Sequence, residues 1–197
     1  MTLTDEALML AVRDGDVGKL GVLFERHHTA LFDFFARMTG NRPVSEDLVQ
    51  DVFLRILKYR KTYRNESQFT TWMYHIARNT RFDQFKKRRL ETVSPEEEIQ
   101  IPSNGISAAK QFEHDQEKEL LARALMKLPE DKRELLVLAR YREMKYEEIG
   151  DLLGVDVGAV KVRVFRAMKE LREIFLRLSG EKSSCNVKRS EINLRII

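Results

Sequence analysis

One stretch of this chain, KYEEIGDLLGVDVGAVKVRVFRAMKEL at residues 145–171, leaves few ways to fold. Ile149, Leu152 and Leu153 recur at i, i+3 and i+4, an apolar stripe on one short helix. Gly154 then stops it, because glycine enters the left-handed cap conformation without steric cost. Asp156 is placed to N-cap the next helix, its carboxylate accepting from a backbone N–H that would otherwise be orphaned. Val160, Val164, Ala167 and Leu171 mark the inward face of that second helix. Val162, Phe165, Arg166 and Lys169 are thereby turned outward, with Lys161 and Arg163 on the flanks. This is the spacing of a helix-turn-helix whose second helix enters a major groove. It also fits a helical hairpin with a solvated basic face.

The rest of the chain sets bounds on that choice. With 197 residues, it has room for one domain or two small ones. Only 9 glycines and 4 prolines interrupt it, so helices can run long. The net charge is just +4, but it is unevenly spread. Residues 78–89 hold six basic side chains and one acid, and residues 161–177 hold six bases and two acids. Between them, residues 91–119 hold eight acids and two bases. Basic blocks attract phosphate backbones, whereas an acidic block is repelled by duplex or stands in for nucleic acid in a basic channel. The single Cys185 excludes an intrachain disulfide. The opening MTLTDEALMLAVRDGD does not read as a signal peptide, and no apolar run approaches the ~18 residues of a membrane span. The expected location is the cytoplasm.

Periodicity predicts helices throughout. Thr4 caps a first helix to Val12, with Leu8 and Val12 inward; a second runs from Leu20 to Met38, with Leu23, Leu31, Phe34 and Phe35 as its apolar residues. Residues 39–43 read as a turn, and Ser45 as the cap of a helix from Glu46 to Tyr59. Its inward stripe is Val49, Val52, Phe53 and Ile56; Asp47, Gln50, Asp51 and Arg55 lie off it. After a polar loop over 63–68, a helix opens at Phe69 or Thr70, with Trp72, Ile76 and Met73 inward, and continues into Lys87. ETVSPEEEIQIPSNGIS has no sustained period and reads as a linker. Helical pattern resumes near Phe112 and breaks at Leu128-Pro129; Pro129 suits the start of a helix from Glu130 to Tyr141. Periodicity is lost again after Leu178.

A second nucleic-acid signal lies in FTTWMYHIARNTRFDQFKKRR at 69–89. Here and just before it, aromatics (Tyr63, Phe69, Trp72, Tyr74, Phe82, Phe85) alternate with Arg78, Arg81, Lys86, Lys87, Arg88 and Arg89. Cations neutralise phosphates and aromatic faces stack unpaired bases, a combination suited to single-stranded or opened DNA. A core Trp72 and Phe82 beside a solvated basic helix end would explain the same letters.

Three segments taken together resemble bacterial sigma factors of the extracytoplasmic-function type. SEDLVQDVFLRIL at 45–57 is similar to the segment that grips the largest core polymerase subunit. The stretch 69–89 is similar to the segment that opens and reads the minus-ten element, and residues 128–171 to the reader of the minus-thirty-five element. The resemblance implies an all-α chain of two small helical domains on a flexible linker, the second domain containing the helix-turn-helix. The implied boundaries are 1–89, a linker over 90–111, 112–177, and a tail over 178–197 with no assigned role.

Roles follow by resemblance. Asp47, Gln50 and Asp51 would bind polymerase. Tyr63 and Asn79 would line a pocket for a flipped minus-ten base, since an amide both donates to and accepts from a base edge. Arg78, Arg81, Lys86 and Arg88 would hold the same DNA. Lys161, Val162, Arg163, Phe165 and Arg166 would meet the upstream element, the split between phosphate and base contacts staying open. The implied partners are core RNA polymerase, promoter DNA and an anti-sigma factor, with no cofactor and no metal. Two positions depart from the family. Lys145 stands where a Ser or Thr cap is usual, and Val162 where many relatives carry a small hydroxyl; valine cannot hydrogen-bond a base edge but can touch a thymine methyl.

Enzyme chemistry finds no footing: there is no phosphate-loop motif, no HExxH pair and no cysteine cluster. A free-standing helix-turn-helix regulator would account for 145–171 but not for the aromatic–basic segment or the Asp47–Asp51 face.

Overall fold

In the computed structural model the described residues are 3–66, 68–90 and 110–180, without the side chains of 87–90 and 110–115; every regular element among them is helical. Of the expected linker over 90–111, residues 91–109 lie outside the described residues, while 90, 110 and 111 fall in helices; of the expected tail over 178–197, residues 178 and 179 are helical and those beyond Gly180 lie outside the described residues. The helices fall into two compact units, one built on the four before the linker and the other on those after it.

The first unit opens with α1 (Asp5–Asp14), capped as expected by Thr4, whose hydroxyl accepts from the Ala7 N–H at 3.2 Å. Leu8, Met9 and Val12 are its buried face. α2 (Lys19–Thr39) buries Leu23, Leu31, Phe34 and Phe35. The rings of Phe24 and Phe53 meet edge to face, as do those of Phe34 and Tyr74, so α2 is anchored to both helices that follow. Aromatic pairs in this geometry add about 0.5–1.5 kcal/mol beyond the area they bury.

α3 (Arg42–Tyr59) begins four residues before the expected start, and Ser45 is not its cap. Asn41 is: its side-chain carbonyl accepts from the Val44 N–H at 3.0 Å. Pro43 fits the first turn because it has no N–H to leave orphaned. Ser45 is fully buried within the helix, its hydroxyl donating to the Asn41 carbonyl at 2.6 Å. Val49, Val52, Phe53 and Ile56 are buried as expected, joined by Val44 and Leu48. A 3-10 turn (Arg60–Thr62) leads to α4 (Phe69–Leu90), which packs along α3. The inward residues of α4 are Phe69, Met73, Tyr74 and Ala77; Trp72 and Ile76, expected to be inward, are only half-buried.

In the second unit, α5 (Lys110–Met126) buries Ala124 and Leu125. α6 (Glu130–Leu136) follows Pro129, which occupies the cap position. Its last turn widens into a π turn (Val137–Tyr141), where the Arg142 N–H donates to the carbonyl of Val137, five residues back, at 3.0 Å. Then come α7 (Tyr146–Leu153) and α8 (Val157–Ser179). Both α5 and α6 pack against α8, which is the spine of the unit.

Candidate functional site

The turn between α7 and α8 is built as the spacing required. Gly154 sits in the left-handed conformation at φ 67°, ψ 38°. The Asp156 carboxylate accepts from the Ala159 N–H at 2.9 Å, satisfying one orphan donor of α8. Gly150, buried on α7, brings the two segments backbone to backbone: a Cβ there would stand 2.8 Å from the Val155 carbonyl oxygen. The cap missing at Lys145 is partly replaced, since the Glu148 carboxylate reaches back to accept from the Lys145 N–H at 3.0 Å.

Burial on α8 fixes its rotation. Val160, Val164, Ala167 and Leu171 are buried, so Lys161, Val162, Arg163, Phe165, Arg166 and Lys169 face solvent. Val162 is 49% exposed and Phe165 63%. An apolar ridge flanked by cations is therefore presented along one side of a helix whose other side is core. Glu170 lies off this ridge and accepts from Lys132 on α6, which keeps its charge away from the basic face.

In the first unit, α3 and α4 enclose a groove of about 390 Å³ lined by Asp47, Gln50, Asp51, Arg55, Thr80, Asp83 and Gln84. The three residues singled out on α3 are thus brought together, all exposed. The α4 wall was not expected. Its signal was present: Asp83 is the one acid in the basic block 78–89, and Thr80 and Gln84 lie at i and i+4 on a single helical side. Arg55 crosses the groove to donate to Asp83 at 2.6 Å. Next to the α3 wall, Leu54 is 64% exposed, a large apolar side chain beside Gln50 and Asp51 on the same helix.

The outer face of α4 carries Asn79, Phe82 and Lys86, all exposed, with Phe82 at 68%. Arg78 is half-buried, and the Arg88 side chain lies outside the described residues. Two of the residues expected to meet DNA are buried. Tyr63 is 1% exposed, its ring edge-on to Trp72 at 5.2 Å and to Phe69 at 6.3 Å. It belongs to the core, because a large ring beside two other aromatics buries more apolar surface there than a solvent position allows. Arg81 is likewise buried, with its guanidinium 6.0 Å from the Phe85 ring centroid. Of the interleaved aromatics, Tyr63, Phe69 and Tyr74 serve the core, and Phe82 and Phe85 remain exposed.

Burial raises the Tyr63 phenol to about 12, with the negative charges of Glu6 and Asp5 adding to the effect. Among the described residues, no group of acids, histidines and cysteines is arranged to hold a metal. No helix among them is long and apolar enough to cross a membrane.

Comparison with known proteins meets this geometry at both ends. Residues 23–91 match the family model of Sigma-70 region 2, and residues 118–171 that of Sigma-70, region 4. The chain is 33% identical to the RNA polymerase sigma factor CarQ of Myxococcus xanthus over 170 residues, covering 86% of this chain and 96% of that one. It is similar to the solved structure of CnrH in complex with the cytosolic domain of CnrY, with a TM-score of 0.67 and 25% identity over 90% of this chain and 99% of that one. It is also similar to the sigma factor RpoE in complex with the anti-sigma factor NepR from Bartonella quintana, with a TM-score of 0.64 and 26% identity over 78% of this chain and 94% of that one. The α3–α4 groove and the outer face of α4 fall within the region 2 match, and the ridge of α8 within the region 4 match. The chain belongs to the extracytoplasmic-function sigma factors, the subunits that direct RNA polymerase to promoters.

Proposed function

We propose that the two units divide the work of initiation as follows. The α3–α4 groove, with Asp47, Gln50 and Asp51 and the adjacent Leu54, docks on core polymerase. The outer face of α4, centred on Asn79 and Phe82 and flanked by Arg78 and Lys86, takes the minus-ten strand as it opens. The ridge of α8, with Lys161, Val162, Arg163, Phe165 and Arg166, reads the minus-thirty-five element. The chain itself makes and breaks no covalent bond; polymerase supplies that chemistry.

One observation carries this reading: α4 is shared. On one side it walls the acidic groove through Thr80, Asp83 and Gln84, and on the next it exposes Asn79, Phe82 and Lys86. A helix built in this way ties docking to strand capture, which is the coupling a promoter-opening subunit needs. Exposed phenylalanine is costly in water, and base stacking is worth about 1–3 kcal/mol per base.

The chain works in the cytoplasm, where polymerase and promoters are, and we further propose that an anti-sigma protein holds it inactive. Support comes from CnrH and the Bartonella RpoE, both solved with a protein partner. The linker expected over 90–111 would lie in the polymerase channel through which RNA leaves, its acids standing in for nucleic acid.

Transcription with purified core polymerase on a pool of promoter fragments tests the reading. The expected result is specific transcripts from a subset of fragments, with little binding of the chain alone to the same duplexes. Tight duplex binding without polymerase, and no transcripts with it, would point instead to a free-standing regulator.

A further inference from the structure

We propose that Val162 reads the C5-methyl group of a thymine in the upstream promoter element and so selects thymine at one position. The inference rests on α8 being the upstream reader. Within a helix-turn-helix, the early residues of the second helix reach base edges. Val162 lies in the second turn of α8, which starts at Val157. Val160 and Val164 on either side of it are buried, so the helix cannot rotate to hide Val162, which stays 49% exposed. Lys161 and Arg163, its immediate neighbours, are exposed cations able to hold phosphates and fix the depth of insertion.

Isolated exposed apolar residues are ordinary. This one is not isolated, because Phe165 stands one turn further along the same face at 63% exposure. The chemistry of the side chain then narrows the base. Valine offers neither donor nor acceptor. In the major groove, guanine, adenine and cytosine present polar atoms at their edges, and only thymine adds a methyl group. Opposite a purine or cytosine edge, Val162 would strip water from polar atoms and return no hydrogen bond, so the same residue also disfavours the other bases. Burying one methyl against the isopropyl group corresponds to about a fourfold gain in binding.

The experiment uses the full chain with core polymerase. A promoter is first selected from fragments randomised across the upstream element. Each upstream thymine is then replaced singly by deoxyuridine, which removes the methyl and nothing else. The expected result is that replacement at one thymine weakens holoenzyme binding about fourfold. Val162→Ser, confirmed as folded by its circular-dichroism melt, should bind the thymine promoter as weakly as the unaltered chain binds the uracil one, and should ignore the replacement. The proposal is overturned if no thymine is sensitive, or if the sensitivity survives in Val162→Ser. It is also overturned if the sensitivity disappears in Phe165→Ala and not in Val162→Ser, which would assign the methyl contact to Phe165. Arg166→Ala separates the two levels of the argument. A binding defect whose salt slope falls by about one phosphate keeps α8 as the reader, whatever becomes of Val162. No change in binding or slope would instead place the failure in the reading of α8 itself.

Discussion

The Arg55 guanidinium donates to the Asp83 carboxylate at 2.6 Å and joins α3 to α4 across the groove they share. Both side chains are partly open to water, so their attraction is screened and worth no more than about 1 kcal/mol. A double-mutant cycle with Arg55→Ala and Asp83→Ala, followed by urea unfolding, should give a coupling below about 1 kcal/mol that fades in molar salt. A larger, salt-insensitive coupling would mean that the pair is shielded from solvent and holds the two helices in register.

The groove makes a separate prediction about docking. Asp51 and Leu54 are exposed and leave the core intact when changed. Asp51→Arg and Leu54→Asp should each weaken binding to core polymerase by at least about tenfold, since a reversed charge or a buried unpaired carboxylate costs several kcal/mol at an interface. The melting temperature should hardly move. Titration of labelled chain with core polymerase checks this; affinities equal to that of the unaltered chain would remove the groove from the docking surface.

Tyr63 gives a pH dependence with a definite sign. Its folded-state value is raised from 10.0 to about 12, chiefly by burial. Its contribution to stability is therefore complete below pH 10 and is lost as pH rises toward the folded value, because the unfolded chain ionises first. Urea unfolding from pH 9 to 11.5 should show stability falling more steeply in the unaltered chain than in Tyr63→Phe. Parallel curves would show that the ring is not buried in solution.

How much of this was legible beforehand differs between the two units for physical reasons. The α7–α8 turn could be read residue by residue, because glycine, aspartate and the apolar repeat all act within a few positions of one another. α4 could not be read so well. Aromatic and basic letters alternate along it, yet whether a ring stacks on a base or fills the core depends on neighbours distant in the chain: Phe34 for Tyr74, and Tyr63 for Trp72. Ser45 misled because a serine ahead of an apolar run is a common cap, while Asn41 with Pro43 was the stronger local signal. The α4 wall of the groove needed the pairing of two helices, which periodicity within either one does not contain.

Glu143 is the one described residue other than glycine with positive φ, at 51°. It lies between the π turn and α7, exposed, in a conformation that costs an L side chain about 1 kcal/mol. Glu143→Gly should relieve that strain at some cost in unfolded-chain entropy, for a net gain of up to about 1 kcal/mol. Thermal unfolding of the second unit is the check. A lower melting temperature would mean that the glutamate makes a contact worth more than its strain.

Asn79 is the residue at which the proposed docking and melting roles can best be separated. It is exposed at the centre of the outer face of α4, between core residues Ala77 and Thr80 that fix its direction. Asparagine is a weak helix former, so its place in mid-helix gains nothing for the fold. Its amide can both donate to and accept from the edge of an unpaired base, which alanine cannot. Loss of such paired hydrogen bonds is worth about 1–3 kcal/mol, or roughly 5- to 150-fold. Asn79→Ala should therefore reduce the open fraction, seen as permanganate reactivity of downstream thymines, by a factor in that range. Closed-complex binding at low temperature should change less than twofold, because the base is still stacked in duplex when that complex forms. Equal loss at both stages would mean that Asn79 touches duplex, and the capture of an opened strand would have to be assigned to Phe82 and its neighbours instead.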